Sequence, residues 1–225
     1  MVLSLSSQPQ KKISSEPKTS QTTMLALLRR RQWKKVGKLL ESSNGSNHLL
    51  SYSCSRCSFQ HSLLNICLRY DPPLHVIQNI TTSFPSAAFE VDCVGQLPLH
   101  HALQNGASLQ VIEYLLKLNI NAADVRDIFG NTPLHSLFDD DTLKSISSNG
   151  YEEQIYILKM IDMFCAIKPS ALLVDDMEER SILECVIENE FNYSCVKKVQ
   201  HMTNYAMNHT AENEFDIRTH ANVQA

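Results

Sequence analysis

Two segments of the chain repeat one pattern at a fixed distance. Residues 92–103 read DCVGQLPLHHAL and residues 127–138 read DIFGNTPLHSLF, so Asp-x-x-Gly-x-x-Pro-Leu-His recurs after 35 residues. A period between 20 and 50 residues is typical of stacked supersecondary units, each of which buries its apolar face against its neighbours. The sequence therefore predicts a short array of similar units.

Each copy specifies a turn and then two helices. The acid that opens the turn can accept hydrogen bonds from backbone amides, the glycine supplies a positive φ, and the proline begins a helix where its missing N–H costs nothing. These residues are Asp92 and Asp127, Gly95 and Gly130, and Pro98 and Pro133. After a break at Asn105-Gly106, the segment LQVIEYLLKLN places apolar residues on one helical face.

The segments LPLHHA (97–102) and TPLHSL (132–137) resemble the Thr-Pro-Leu-His-x-Ala signature of the ankyrin repeat. The resemblance implies an all-α, ankyrin-like solenoid of about five helix-turn-helix repeats with short hairpin turns. It also implies that His100 and His135 hydrogen-bond neighbouring repeats and are not catalytic. Fainter copies, SLLNICL (62–68) and DDMEERSILECVI (175–187), extend the array in both directions. We expect equivalent buried positions for four leucines: Leu64, Leu99, Leu134 and Leu183.

The same frame gives the domain boundaries. We predict a repeat domain over 20–205, divided into a capping repeat 20–50 and repeats 51–91, 92–126, 127–175 and 176–205, with an inserted loop at 139–150. The last repeat departs from the pattern, because Glu179 stands at the glycine position and Ile182 at the proline position. The Ser/Lys-rich tail 1–19 and the polar tail 206–225 contain too little apolar surface to order, so we expect residues 1–19 and about 208–225 to be disordered.

Charge and cysteine usage indicate the compartment. Residues 1–40 contain nine Lys and Arg against one Glu, and a capping helix pair would carry most of these cations on its outer face. A Ser-rich, basic start is also typical of an organelle transit peptide, and this alternative stays open. The opening is not apolar enough for a signal peptide, no 18 apolar residues are consecutive, and seven cysteines lack framework spacing. We expect a soluble, monomeric, cytoplasmic or nuclear protein without a membrane span.

Catalytic motifs are not evident, so we expect no enzyme activity, no cofactor and no small-molecule substrate. The single Trp and the lack of aromatic interleaving in the basic segment argue against sequence-specific nucleic-acid binding. Four potential zinc ligands follow one another in Cys54, Cys57, His61 and Cys67. Because Cys67 replaces the core position Ala102, we predict no metal at these four residues. A zinc-binding or redox-responsive element at Cys54 and Cys57, supported by the repeats, is the alternative function.

The principal functional prediction is a non-catalytic scaffold or adaptor that binds a protein partner of unknown identity through turn tips and exposed helix faces. The resemblance assigns the partner contacts to positions between the turn Asp and Gly, just after that Gly, and after the signature His. These are Cys93, Val94, Gln96, His101, Ile128, Phe129, Asn131 and Ser136. Large apolar side chains at a turn whose geometry needs only Asp and Gly suggest a binding patch. Packing of each against the neighbouring turn is the alternative.

Overall fold

A computed structural model describes residues 17–42, 51–53, 60–138 and 150–223, with side chains described for 22–41, 61–138 and 154–210. Nine α-helices lie in these ranges: α1 Pro17–Arg29, α2 Trp33–Ser42, α3 Leu63–Leu68, α4 Leu74–Ser83, α5 Pro98–Gln104, α6 Leu109–Leu118, α7 Gly150–Ile167, α8 Ile182–Glu188 and α9 Tyr193–Val223. Four 3-10 helices accompany them: Pro85–Phe89, Ile120–Asp124, His135–Phe138 and Pro169–Leu173. The only described strands, β1 (Ser51–Ser53) and β2 (Gln60–Ser62), pair antiparallel with Tyr52 opposite His61. The all-α class is confirmed.

The helices form two rows. In one row α3 contacts α5, α5 contacts the 3-10 helix His135–Phe138, and that helix contacts α8. In the other row α2, α4, α6, α7 and α9 contact one another in succession. The short helices at Pro85–Phe89, Ile120–Asp124 and Pro169–Leu173 return the chain from the second row, and each buries two small or apolar residues. One hydrophobic core therefore runs continuously from Met24 to Ala206.

Three of the four leucines that were predicted to occupy buried positions lie in the core. Leu64, Leu99 and Leu134 are buried, as predicted. The prediction for Leu183 is wrong in degree, because this side chain is only half-buried. Ile182, at the place where the middle units carry proline, is fully buried in α8 instead. The branched side chain at the start of this helix thus fills the core, and Leu183 packs at its margin.

The N-terminal helix pair has the amphipathic character that the sequence predicts. Met24 and Leu28 of α1 and Val36 of α2 are fully buried. Six basic residues of the same segment are exposed: Arg29, Arg30, Arg31, Lys34, Lys35 and Lys38. The cations therefore cover the outer side of this end of the protein.

Both predicted tails differ from the structure where it describes them. Helix α1 begins at Pro17, inside the predicted tail 1–19, and residues 1–16 lie outside the described residues. Helix α9 continues to Val223 and does not stop at 205. No glycine or proline occurs between 193 and 223 to end it, and Ala206 still belongs to the core. Residues 139–149 of the predicted inserted loop also lie outside the described residues, and Gly150 begins α7.

Candidate partner-binding surface at the hairpin tips

Three hairpin turns, at 92–96, 127–131 and 176–180, share one construction. In each turn the Oδ1 atom of the opening aspartate accepts hydrogen bonds from the backbone amides two and four residues later. For Asp92 both distances are 2.9 Å, for Asp127 they are 2.9 and 3.0 Å, and for Asp176 both are 2.9 Å. The fourth residue of each turn has a positive φ, 76° at Gly95 and Gly130 and 60° at Glu179. Local sequence therefore specifies the turn geometry, as predicted.

The second oxygen of each buried aspartate has a different partner in each turn. Asp92 Oδ2 accepts a hydrogen bond from His101 Nε2 at 3.0 Å, within its own unit. Asp127 Oδ2 accepts one from Gln96 Nε2 at 3.0 Å, across the unit boundary. Asp176 Oδ2 contacts the Arg180 guanidinium at 2.8 Å. Burial raises the pKa of Asp92, but the hydrogen bonds from His101 and the turn amides outweigh burial and lower this pKa to about 2.

The signature histidines join successive units. His100 Nδ1 accepts a hydrogen bond from the Leu97 amide at 3.1 Å, and its Nε2 lies 3.3 Å from the Asn131 carbonyl oxygen. His135 Nδ1 lies 2.7 Å from Thr132 Oγ1, and its Nε2 lies 3.0 Å from the Arg180 carbonyl oxygen. A carbonyl only accepts, so Nε2 carries the proton in both rings. Burial lowers the pKa of His100 to about 4 and also lowers the pKa of His135, which keeps both rings neutral.

The structure corrects three of the predicted partner contacts. Gln96, His101 and Ser136 are buried, because the first two are the donors to aspartates 127 and 92 and the third lies inside the 3-10 helix His135–Phe138. Their side chains therefore hold the units together and are not available to a partner. Three further predicted contacts, Cys93, Val94 and Asn131, are half-buried.

Two of the residues predicted to contact a partner have strongly exposed side chains, and so does one residue outside the prediction. Ile128 is 62% exposed and Phe129 is 58% exposed. Met177, which is not among the predicted contacts, is 69% exposed. It directly follows the turn aspartate, as Ile128 does, so position in the unit was the signal that could have identified it.

These apolar residues lie along successive tips. The Ile128 amide donates to the Val94 carbonyl oxygen at 3.0 Å, and Ile128 Cγ2 would lie 3.5 Å from a Cβ atom on Gly95. A Cβ atom on Gly130 would overlap the Met177 side chain, so this side chain covers that glycine. We call Val94, Ile128, Phe129 and Met177 the tip patch. Ile128 and Met177 thus touch the preceding turn and still leave most of their surface exposed.

One group of side chains has the spacing of metal ligands but is already hydrogen-bonded. Potential ligand atoms of His135, Asp176 and Cys185 lie within 4.8 Å of one another. Both ring nitrogens of His135 and both oxygens of Asp176 make the contacts described above. Burial raises the pKa of the Cys185 thiol to about 12, so it stays protonated. The hydrogen bonds of His135 and Asp176 and the burial of the Cys185 thiol therefore account for this cluster.

A scan against models of protein families finds no match, and a search of curated proteins finds none either. Among the described helices, none combines the length and the apolar character that crossing a membrane requires.

Proposed function

We propose that this chain is an ankyrin-like repeat protein and acts as a non-catalytic interaction module that binds a protein partner through its hairpin tips and exposed helix faces. The similar hairpins and the two rows of helices support the repeat assignment. The observation that carries the binding function is the tip patch, in which Ile128, Phe129 and Met177 are each more than half exposed.

Exposure of these side chains is not needed for folding. The turn is held by Asp Oδ1 and by the positive φ at its fourth residue, so the turn itself does not require apolar side chains at the two intervening positions. Adjacent exposed apolar side chains on a protein surface are typical of interaction sites, where a few large residues contribute most of the binding energy. The tip patch is therefore the surface that a partner would bury.

The test is quantitative capture of partner proteins from the native cell, followed by affinity measurement with the partner that is identified. Phe129→Ala should weaken binding by about 1 to 3 kcal/mol and leave the melting temperature unchanged, because an exposed anchor contributes to binding and not to the fold. Ile128→Ala should weaken binding in the same way.

Ile187→Ala is the comparison variant, because Ile187 is 53% exposed but lies on α8, outside the tips, and shows whether this exposed helix face also contributes to binding. Binding by the Ile128→Ala and Phe129→Ala proteins equal to that of the unchanged protein would contradict a role for the tip patch. A lower melting temperature for Phe129→Ala with unchanged binding would assign Phe129 to the fold.

The alternative, a zinc-binding or redox-responsive element at Cys54 and Cys57, stays a second candidate. Both cysteines lie outside the described residues. One described contact involves the same sequence cluster: His61 Nε2 lies 3.7 Å from Cys93 Sγ of the next hairpin.

A further inference from the structure

Charged residues are distributed unevenly along the hairpin tips, each of which is a turn together with the residue before it. In the first tip, 91–96, the only charged residue is the buried Asp92. The second tip, 126–131, begins with an exposed cation, Arg126. Three exposed acidic residues of the third tip form what we call the acidic tip: Asp175, Glu178 and Glu179. Exposed negative charge is thus concentrated at one end of the row.

The cation of the third tip does not neutralise this charge. Residues 175–180 contain four acidic residues against one arginine, or a net charge of −3. The Arg180 guanidinium contacts the buried Asp176 carboxylate at 2.8 Å and lies 3.4 Å from that of Glu178. Among the described residues, neither Asp175 nor Glu179 forms an ion pair. The acidic tip therefore presents negative charge to the solvent.

Folding of the third turn does not require these acids. The turn is closed by backbone amides that donate to Asp176 Oδ1. Glu179 has a φ of 60°, a conformation that glycine adopts more readily and that glycine occupies in the first two tips. Three like charges within one turn also repel one another. The third tip thus retains negative charge where folding alone would favour glycine and fewer charges.

The acidic tip borders the tip patch. Met177 lies between the acids in sequence, is 69% exposed, and its side chain covers Gly130 of the second tip. Glu178 directly follows Met177 and is exposed as well. A partner that buries Met177 therefore brings its own neighbouring groups against carboxylates, and cations are the groups that gain from this position.

We propose, on the basis of the function proposed above, that the partner binds through a peptide segment in which apolar side chains adjoin a run of lysine or arginine. The apolar side chains contact the tip patch, and the cations lie over the acidic tip. Apolar anchors supply most of the affinity in such an interface, whereas complementary charge sets its specificity and orientation. Arg126 repels the cations and thus directs the basic run toward the third tip.

The experiment selects binders for the full chain from a displayed library of random peptides of about 12 residues. We expect the enriched peptides to combine apolar residues with a run of Lys or Arg. The strongest of them is then synthesised and titrated against the unchanged protein and its variants. A variant that carries Asp175→Asn, Glu178→Gln and Glu179→Gln should bind this peptide about 10-fold more weakly at low salt, since each exposed ion pair contributes a small factor. High salt should weaken binding by the unchanged protein more than by this variant.

A second triple variant is the matched control. It carries Glu41→Gln, Glu113→Gln and Asp162→Asn, which change the net charge equally but lie on α2, α6 and α7, outside the tips. Its affinity for the peptide should equal that of the unchanged protein. Equal losses in the two triple variants would mean that only the total charge matters, which would overturn the proposal.

Glu179→Gly separates the charge from any role in the fold. This change should weaken peptide binding by about 2- to 5-fold, as expected for one exposed ion pair, and yet raise the melting temperature. A purely structural role for Glu179 would change both quantities in the same direction. Unchanged affinity in Glu179→Gly and in the acidic-tip triple variant would overturn the proposal.

The remaining outcomes distinguish the chemistry of the partner from the location of its site. If Phe129→Ala weakens binding but the enriched peptides lack a basic run, the tip patch is the site and the basic partner is wrong. If neither Phe129→Ala nor Ile128→Ala weakens binding of any enriched peptide, the proposed function fails as well. Absence of any enriched peptide would overturn the basic segment, and capture from the native cell would still decide the proposed function.

A second copy of the chain is the other occupant that the charges allow, because exposed cations cover the N-terminal helix pair. Sedimentation of the unchanged protein at low and high salt tests this occupant. Self-association at low salt that the acidic-tip triple variant abolishes would assign the acidic tip to a second copy and overturn a separate basic partner.

Discussion

The Nε2 atom of His135 lies 3.0 Å from the carbonyl oxygen of Arg180, although the two residues are 45 positions apart in the chain. The equivalent contact one unit earlier, between His100 and Asn131, spans only 31 positions. The longer sequence between the later pair, including the inserted loop, therefore leaves the contact between the two hairpins intact. Contacts between units set the spacing of the hairpins, and the length of the connecting chain does not.

Removing either signature histidine should destabilise the protein. His100→Ala and His135→Ala should each lower the free energy of unfolding by about 2 to 4 kcal/mol, because each leaves a partly buried carbonyl and a second polar group without its partner. Urea denaturation followed by circular dichroism measures the change. His75→Ala, at an exposed position of α4, is the control and should stay within about 0.5 kcal/mol of the unchanged protein. Similar values for all three variants would contradict the bridging role.

Stability should fall on acidification below neutral pH. The pKa of His100 is about 4 in the folded protein against 6.5 ordinarily, so between these values the unfolded chain binds a proton that the folded chain does not. Above pH 6.5 the His100 ring is neutral in both states and its titration does not change stability. As the pH falls from 6.5 to 4, protonation of the unfolded chain lowers the free energy of unfolding, in all by something on the order of 3 kcal/mol. Melting temperatures measured from pH 7.5 to 4 check this expectation. His100→Asn should flatten the pH dependence in that window, and an unchanged slope would contradict the assignment.

Replacing Glu179 by glycine should stabilise the protein. Glu179 has a φ of 60° and is exposed, so its side chain makes the left-handed conformation unfavourable without gaining burial. We expect Glu179→Gly to raise the free energy of unfolding by about 0.5 to 1 kcal/mol and the melting temperature by about 1 to 4 °C. Glu178→Gly, one position earlier in the turn, is the control and should not stabilise. A destabilised Glu179→Gly protein would show that the Glu179 side chain makes a contribution beyond its backbone conformation.

The leucine positions should differ in their contribution to stability. Leu99→Ala removes a buried side chain from α5 and should cost about 2 to 5 kcal/mol. Leu183→Ala removes a half-buried side chain from the equivalent place in α8 and should cost less. Chemical denaturation of the two proteins compares them directly. Equal losses would mean that the margin of α8 is packed as tightly as the centre of the array.

Features that depend on neighbouring residues could be predicted from the sequence. The hairpins at 92–96 and 127–131 follow from an aspartate and a glycine three residues apart, and the buried faces of α5 and α6 follow from apolar spacing. The left-handed conformation at Glu179 follows from its place in the unit.

Features that depend on contacts between units could not be predicted in this way. The donation from Gln96 to Asp127 crosses 31 positions, so nothing near Gln96 indicates that its side chain is buried. The approach of Cys93 to His61 crosses 32 positions for the same reason. The predicted contacts come only from the two units with the complete pattern, whereas Met177 lies in a unit that lacks its glycine and proline.

The three turn aspartates also determine how far the units can be exchanged. Each buries a carboxylate whose Oδ1 atom is satisfied within its own turn, but the donor to Oδ2 is a histidine of the same unit for Asp92, a glutamine of the preceding unit for Asp127 and an arginine of the same turn for Asp176. Moving the 127–131 hairpin to another place would therefore bury a charged oxygen without a donor unless Gln96 moved with it. The units look modular in sequence, yet the 127–131 hairpin can be duplicated or transplanted intact only together with the unit that precedes it.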